Sequence, residues 1–276
     1  MALTKVLVTI KTYPSLSEKY DELVCTAGFL EDGSMIRIYP VPFRKLDYER
    51  QYKKYQWIEI DLEKRSSDFR PESYKPVDID KAFTISEFID ANRWDDRRQI
   101  VLSTVYKNMT ELITKAKDEK DRTSLAVLKP KEIINFIWEP VSREWNPTIL
   151  EKIRARAAQG DLFGEKGENP FEVVKKLPYK FSYVFTTEDD KERTLMIEDW
   201  ELGALYWKCL ESANGDEKTA CQKVKEKYFD YMVKKRDLYF YLGTTLKHHN
   251  VGPNPFIIIG AFYPPKPTPK QLKLDL

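Results

Sequence analysis

Apolar and polar residues alternate in short bursts through the first 85 positions, and the period then lengthens. Stretches 5–12, 22–30, 35–41 and 57–62 each put every second side chain on one face, the period of an extended strand. In 57–62, Ile58, Ile60 and Leu62 share one face while Trp57, Glu59 and Asp61 share the other. Glu31-Asp32-Gly33-Ser34 separates two of these runs, and Asp-Gly between apolar runs predicts a hairpin. Several short strands joined by turn signals predict a small barrel or sandwich. Thr84 and Glu87 then read as a capping box for a helix over 86–92. Ile100, Val101, Val105, Met109, Leu112, Ile113 and Ala116 keep helical spacing within 94–120. A short element over 132–138 and a basic helix over 148–158 follow, and then a Gly-rich loop at 159–170. Stretches 179–186 and 193–197 predict a second hairpin, and Asp199 and Asp216 each open a helix, running to about 212 and about 235. The closing strands are expected at 238–242 and 256–262, the latter apolar throughout, as in a buried central strand.

These elements divide the chain into four parts. Residues 1–138 form a β-rich domain with appended helices, and 139–178 a basic helix with a Gly-rich linker. Residues 179–264 form a second α+β lobe, and 265–276 a Pro-rich tail. No fixed-period repeat is visible.

The tail carries the sharpest local pattern. After Pro264-Pro265-Lys266-Pro267-Thr268-Pro269 come Gln271, Leu272, Lys273, Leu274, Asp275 and Leu276. An extended backbone puts all three leucines on one face, free to enter a single hydrophobic groove, and the glutamine amide can fix the register. The proline run holds the peptide away from the body. Gln-Leu-x-Leu-x-Leu resembles the six-residue peptide by which bacterial replication and repair proteins bind the sliding clamp, and that resemblance implies the clamp as a partner. Gln159, Leu162 and Phe163, within Gln-Gly-Asp-Leu-Phe, resemble the five-residue form of the same peptide. There Gly160 replaces a leucine, so one contact is missing. The alternatives are leucines packed on the protein's own surface and a loop anchored on the core by Leu162 and Phe163.

Composition narrows the class without naming a function. With 276 residues, 42% apolar and 33% charged, the chain is long enough for one large domain or two modest ones. No apolar run approaches a membrane span and no secretory signal is visible, so no membrane is expected and the cytoplasm is the expected location. The three cysteines, Cys25, Cys209 and Cys221, are scattered and include no Cys-x-x-Cys pair, consistent with a reducing compartment. A net charge of +2 means that any nucleic-acid-binding surface must be a local segregation of charge.

Candidate chemistry is concentrated in 43–57, between two predicted strands, where bases interleave with aromatics. Arg44, Lys45, Arg50, Lys53 and Lys54 could neutralise phosphates while Tyr52, Tyr55 and Trp57 stack on unpaired bases of single-stranded DNA or RNA. The competing reading is a loop whose tyrosines cover the barrel end. Arg65, Asp68, Arg70 and Glu72 could hold a metal or a phosphate, or could pair among themselves. Glu198, Asp199 and Glu201 could bind Mg²⁺, but carboxylates at a helix start are also explained by capping. Asp189-Asp190-Lys191 has nuclease-like spacing in a turn, and His248 and His249 are adjacent in a loop. No catalytic set, cofactor motif or metal site is convincing, so whether the protein is an enzyme is left open, with nuclease as the activity to test.

Lys5-Val6-Leu7-Val8-Thr9-Ile10-Lys11-Thr12-Tyr13-Pro14, Val24-Cys25-Thr26-Ala27-Gly28 and Arg37-Ile38-Tyr39-Pro40-Val41 resemble an uncharacterised bacterial family with paired oligonucleotide-binding (OB)-like domains, found in defence or mobile-element settings. The resemblance implies nucleic-acid handling and no catalytic residues. The expected fold is α+β: a small OB-like barrel or sandwich lobe, a helical middle and a second α+β lobe. The expected function is a nucleic-acid-binding accessory protein recruited to DNA by its tail. The alternatives are a metal-dependent nuclease and a small-ligand or modified-base sensor.

Overall fold

The computed structural model describes residues 3–17, 21–46, 51–78, 83–162 and 173–267. Their architecture is mixed α+β. The first region is one curled sheet built from β1 (Thr4–Lys11), β2 (Ser15–Ser17), β3 (Asp21–Phe29), β4 (Met35–Val41), β5 (Gln56–Ile60), β6 (Leu62–Lys64), β7 (Ser73–Pro76) and β8 (Thr84–Phe88). Its order is β6-β7-β4-β3-β1-β5-β8, with β2 beside β3. Only Asp61 separates β5 from β6, so one run of chain pairs with β1 at its start and with β7 at its end. This brings the two sides of the sheet round toward each other. The β3–β4 turn is tight, and Gly33 takes φ +82° there, a conformation open to glycine at no steric cost.

Both faces of this sheet are buried, for different reasons. Val6, Val8, Ile36, Ile38, Ile58 and Ile60 point inward to one core. Leu7, Phe29 and Trp57 point outward and pack on Val127, Tyr241, Ile259 and Phe262 from the rest of the chain. The alternation therefore separates two cores, with Ile58 and Ile60 in one and Trp57 in the other.

After the curled sheet come six α-helices and two three-stranded sheets among the described residues. α1 (Trp94–Val101) follows the curled sheet, and α2 (Met109–Lys117) starts after Asn108, whose side chain accepts from the Thr110 and Glu111 amides at 2.9 and 3.2 Å. The strands are β9 (Leu125–Leu128), β10 (Glu132–Pro140), β11 (Tyr179–Thr186), β12 (Arg193–Met196), β13 (Tyr239–Thr244) and β14 (Phe256–Phe262). They form the orders β10-β11-β12 and β14-β13-β9. The remaining helices are α3 (Pro147–Leu162), α4 (Trp200–Ser212), α5 (Glu217–Lys225) and α6 (Met232–Lys235), with a π-helical turn at Glu226–Tyr231 joining the last two. Phe136, Phe181, Tyr183, Tyr206, Tyr228 and Phe240 fill the core between them.

Several local expectations change. Residues 84–88 are a strand, because Ile85 pairs with Ile58 and Phe88 with Gln56, and this long-range pairing overrides the capping pattern. The periodic stretch 94–120 is two helices with an extended break between them. Residues 125–138, grouped with the first domain by the sequence reading, pair instead with β13 and β11. β14 is an edge strand of its sheet, and its apolar run is explained by burial on both faces. Ile258 packs in the second core and Ile259 against the curled sheet. Gln159 and Leu162 lie in the last turn of α3 rather than in a loop, while Phe163 lies outside the described residues.

Candidate functional site: an arginine cleft between the two regions

A cavity of about 410 Å³ opens where the curled sheet meets β13 and β14. Its first wall comes from Cys25 of β3, Arg37 and Tyr39 of β4, and Arg65 and Arg70 of the β6–β7 loop. Its second wall comes from Glu198, the end of β13 with Thr244, the adjoining Lys247, and Ile257 and Ile259 of β14. Tyr13, from the loop after β1, stands at its edge.

Arg37 is 3% exposed and joins the walls. Its Nη1 donates to Ser73 Oγ at 3.1 Å and Ser124 Oγ at 2.8 Å, and its Nη2 to the Ser124 and Thr244 carbonyls at 3.0 and 3.4 Å. The parallel pairing of β4 with β7 sets Arg37 opposite Ser73. Glu72 completes the arrangement by accepting from Ser124 N and Oγ at 2.9 and 2.7 Å. Arg70 is held the same way. Its Nε and Nη2 donate to the two Asp68 oxygens at 2.8 and 2.6 Å, and its Nη1 donates to the Thr244 carbonyl. Burial alone would raise the Asp68 carboxyl, but hydrogen bonding and charge from Arg70 outweigh it and bring it down to about 2.

Two cations on the rim are less committed. Arg65 lies 3.9 Å from Asp68 and 5.2 Å from the centre of the Tyr39 ring. Lys247 is exposed and has no hydrogen-bond or ion-pair partner among the described residues. The Glu198 carboxyl also lacks such a partner among them, while its backbone amide donates to the Ile258 carbonyl at 2.8 Å. Its side chain keeps surface open to water in the cleft, yet the surrounding protein crowds it enough that desolvation raises its carboxyl pKa. The same cause raises the Cys25 thiol. The cleft thus offers fixed guanidinium groups behind two rim cations, with a carboxyl on the far wall. That arrangement suits a phosphate or carboxylate whose remaining part carries hydrogen-bond donors.

The basic-aromatic stretch 43–57 has a different role in the fold. Tyr52, Tyr55 and Trp57 are 1%, 7% and 8% exposed, so their ring faces serve the cores and are not presented to solvent. Lys54 bridges the regions through Glu201 at 3.0 Å and the Ala261 carbonyl at 3.4 Å. Desolvation opposes its charge, but Glu201 and Asp199 outweigh it and raise the Lys54 pKa. Arg44 pairs with Glu22 at 2.6 Å and Lys53 is exposed. Lys45 ends a short 3-10 turn, and Arg50 lies outside the described residues. Lys11, not singled out from the sequence, sits beneath this segment, 4.2 Å from the Phe43 ring centre and 5.4 Å from that of Trp200.

The other candidates are placed as follows. Asp199 caps α4, accepting from the Glu201 amide at 3.2 Å, and receives the Tyr228 hydroxyl at 3.3 Å. Asp189 is bound by Arg193 at 2.6 Å and by Thr110. His249 is buried: Nε2 donates to the Ala116 carbonyl at 2.7 Å, which leaves Nδ1 to accept from Thr244 Oγ at 2.8 Å. Among the described residues no three His, Cys, Asp or Glu side chains cluster as a metal site, and no helix is long and apolar enough to cross a membrane. Gln271, Leu272, Leu274 and Leu276 lie outside the described residues. The sequence had marked Arg65, Asp68, Arg70 and Glu72, but not the opposite wall that makes them a site.

Two family models divide the chain at the same seam. Residues 2–103 match a domain of unknown function (DUF8758), and residues 105–275 match a second domain of unknown function (DUF8757). The second match spans more than half of the chain, so the protein belongs to the DUF8757 family and carries a DUF8758 region before it. A search of curated proteins finds no match.

Proposed function

We propose that this protein is a single-stranded nucleic-acid-binding accessory protein that holds its ligand in the arginine cleft. The observation that carries the reading is where the cleft lies. β1, β3, β4, the β5–β6 run and β7 form a five-membered, partly open Greek-key arrangement with a parallel β4–β7 pair. That order supports the OB-like reading of the first region. OB domains bind oligonucleotides on the face of their second and third strands and with the loops between strands one and two and between strands four and five. The corresponding parts here are β3 and β4, the loop after β1 and the β6–β7 loop, and these build the first wall of the cleft. With the chain's net charge only +2, local segregation of Arg37, Arg65, Arg70 and Lys247 is what phosphate attraction requires.

Recruitment belongs to the same proposal. The spacing of Gln271, Leu272, Leu274 and Leu276 supports docking to a bacterial sliding clamp, which would bring the cleft to DNA under replication or repair. A second reading, a small-ligand or modified-base sensor, is favoured by the roof that β13 and β14 place over the cleft and by its small-molecule size.

Calorimetric titration with short single-stranded oligonucleotides over a salt series tests the proposal. Arg65→Ala and Lys247→Ala should each weaken binding and lower the salt slope by about 0.7. Unchanged affinity and slope in both variants would overturn it, and tight binding of one mononucleotide without gain from a second residue would favour the sensor.

A further inference from the structure

Two more hollows run on from the cleft. One, of about 270 Å³, is lined by Tyr13, Arg44, Lys175, Trp200 and Trp207. The next, of about 370 Å³, is lined by Trp145, Lys176 and Arg143, and again by Lys175 and Trp207. Tyr13 lines both the first hollow and the cleft, and Lys175 and Trp207 line both hollows, so the three are neighbours that share side chains.

The rings along this run are fixed by their polar edges. Trp207 Nε1 donates to Tyr13 Oη at 2.8 Å, and Tyr13 Oη donates to the Lys175 carbonyl at 2.7 Å. Trp145 Nε1 donates to the Val174 carbonyl at 2.8 Å. Tyr13, Trp145 and Trp207 are only half-buried. Gly203 in α4 makes room for the first of them, since a Cβ there would lie 2.1 Å from the Tyr13 ring. Glycine inside a helix is disfavoured relative to alanine, and seating the ring accounts for its presence.

The charges along the run are partly cancelled. Arg44 pairs with Glu22 at 2.6 Å and Arg143 with Glu217 at 2.5 Å. Lys175 and Lys176 each lie 5.8 Å from a tryptophan ring centre, those of Trp207 and Trp145. The hollows therefore offer aromatic faces more than net charge, whereas the cleft offers charge more than faces. Single-strand binding surfaces combine these two features along one track.

We propose that the nucleic-acid path continues out of the cleft: a strand held by its phosphates at Arg65 and Lys247 crosses Tyr13 and stacks its following bases on Trp207 and Trp145. This inference rests on the nucleic-acid reading of the cleft. It makes binding length-dependent, with the increment from longer strands less salt-sensitive than the part due to the cleft.

Calorimetry with unlabelled oligothymidylates and oligouridylates of about 2, 4, 8 and 12 nucleotides, using the full chain and following tryptophan fluorescence, tests it. Affinity should rise beyond about four nucleotides, with quenching of the tryptophans. Trp145→Ala should lower affinity for the longest strand roughly 5- to 150-fold and leave the dinucleotide unchanged. Gly203→Ala, which displaces Tyr13 without removing a tryptophan, should act in the same direction, and circular dichroism verifies that both variants are folded. If dinucleotides bind and Arg65→Ala weakens them, but length and Trp145→Ala have no effect, this inference falls and the cleft reading survives. If no strand binds the wild-type protein, both fall. Comparison of the thymidylate and uridylate series decides between DNA and RNA.

Discussion

Replacing Arg37 with alanine should cost about 3–5 kcal/mol of folding stability. The side chain is buried and spends its donors on two serine hydroxyls and two carbonyls contributed by both regions of the chain. Hydrogen bonds from a charged group contribute about 1.5–3 kcal/mol each, but bonds in one network are not additive. The loss should therefore resemble the breaking of one buried ionic network rather than the sum of its parts. Against a typical total of about 5–15 kcal/mol, that is a large share. Arg37→Lys should recover only part of it, because an ammonium cannot reproduce the guanidinium fork. Urea titration followed by tryptophan fluorescence measures the change. Ser124 Oγ accepts from Arg37 and donates to Glu72, so a double-mutant cycle with Ser124→Ala should show coupling above about 1 kcal/mol. A loss below about 1 kcal/mol for Arg37→Ala, or simple additivity with Ser124→Ala, would refute the view that this network ties the two regions together.

Two further outcomes are expected. Burial lowers the Lys11 ammonium pKa from 10.5 to about 8. Between those values the unfolded chain holds a proton that the folded chain has released, so stability should rise as pH increases through that window, by at most about 3 kcal/mol, and Lys11→Met should flatten the slope. Urea midpoints at pH about 7.5, 8.5 and 9.5 test this, and an equal slope in the variant would reject it. Deleting residues 271–276, or changing Leu274 and Leu276 to alanine, should abolish capture by a bacterial sliding clamp without altering the fold. The intact tail should bind in the micromolar range, roughly −8 kcal/mol, and equal capture of intact and truncated chains would show the leucine spacing to be accidental.

What could be read from the sequence was mostly local. The Asp32-Gly33 turn, the Asp199 and Asp216 helix starts and the strand at 179–186 each depend on neighbours a few positions away, and each is present. Thr84–Phe88 was misread because its capping pattern is local while its pairing to β5 is not. Composition could not tell whether Tyr52, Tyr55 and Trp57 were stacking surfaces or core residues, since both uses favour the same residue types. The cleft was half visible. Arg65, Asp68, Arg70 and Glu72 stood out, but Arg37 meets Thr244 across a separation of 207 residues, and no periodicity reports that contact. Gly203 was the overlooked signal, a glycine inside an otherwise well-formed amphipathic helix.

The two-faced burial of the curled sheet also bears on how the chain is made. Leu7, Phe29 and Trp57 face outward, and what covers them includes Ile259 and Phe262. During synthesis those partners follow Trp57 by roughly 200 residues, or about 10–40 s at ~5–20 residues per second. For that interval the nascent first region carries an incompletely covered apolar face, which is a natural binding site for a holdase chaperone. A ribosome that stalls before β9 would release a product whose curled sheet can pair its strands but whose outer face lacks Val127, Tyr241, Ile259 and Phe262.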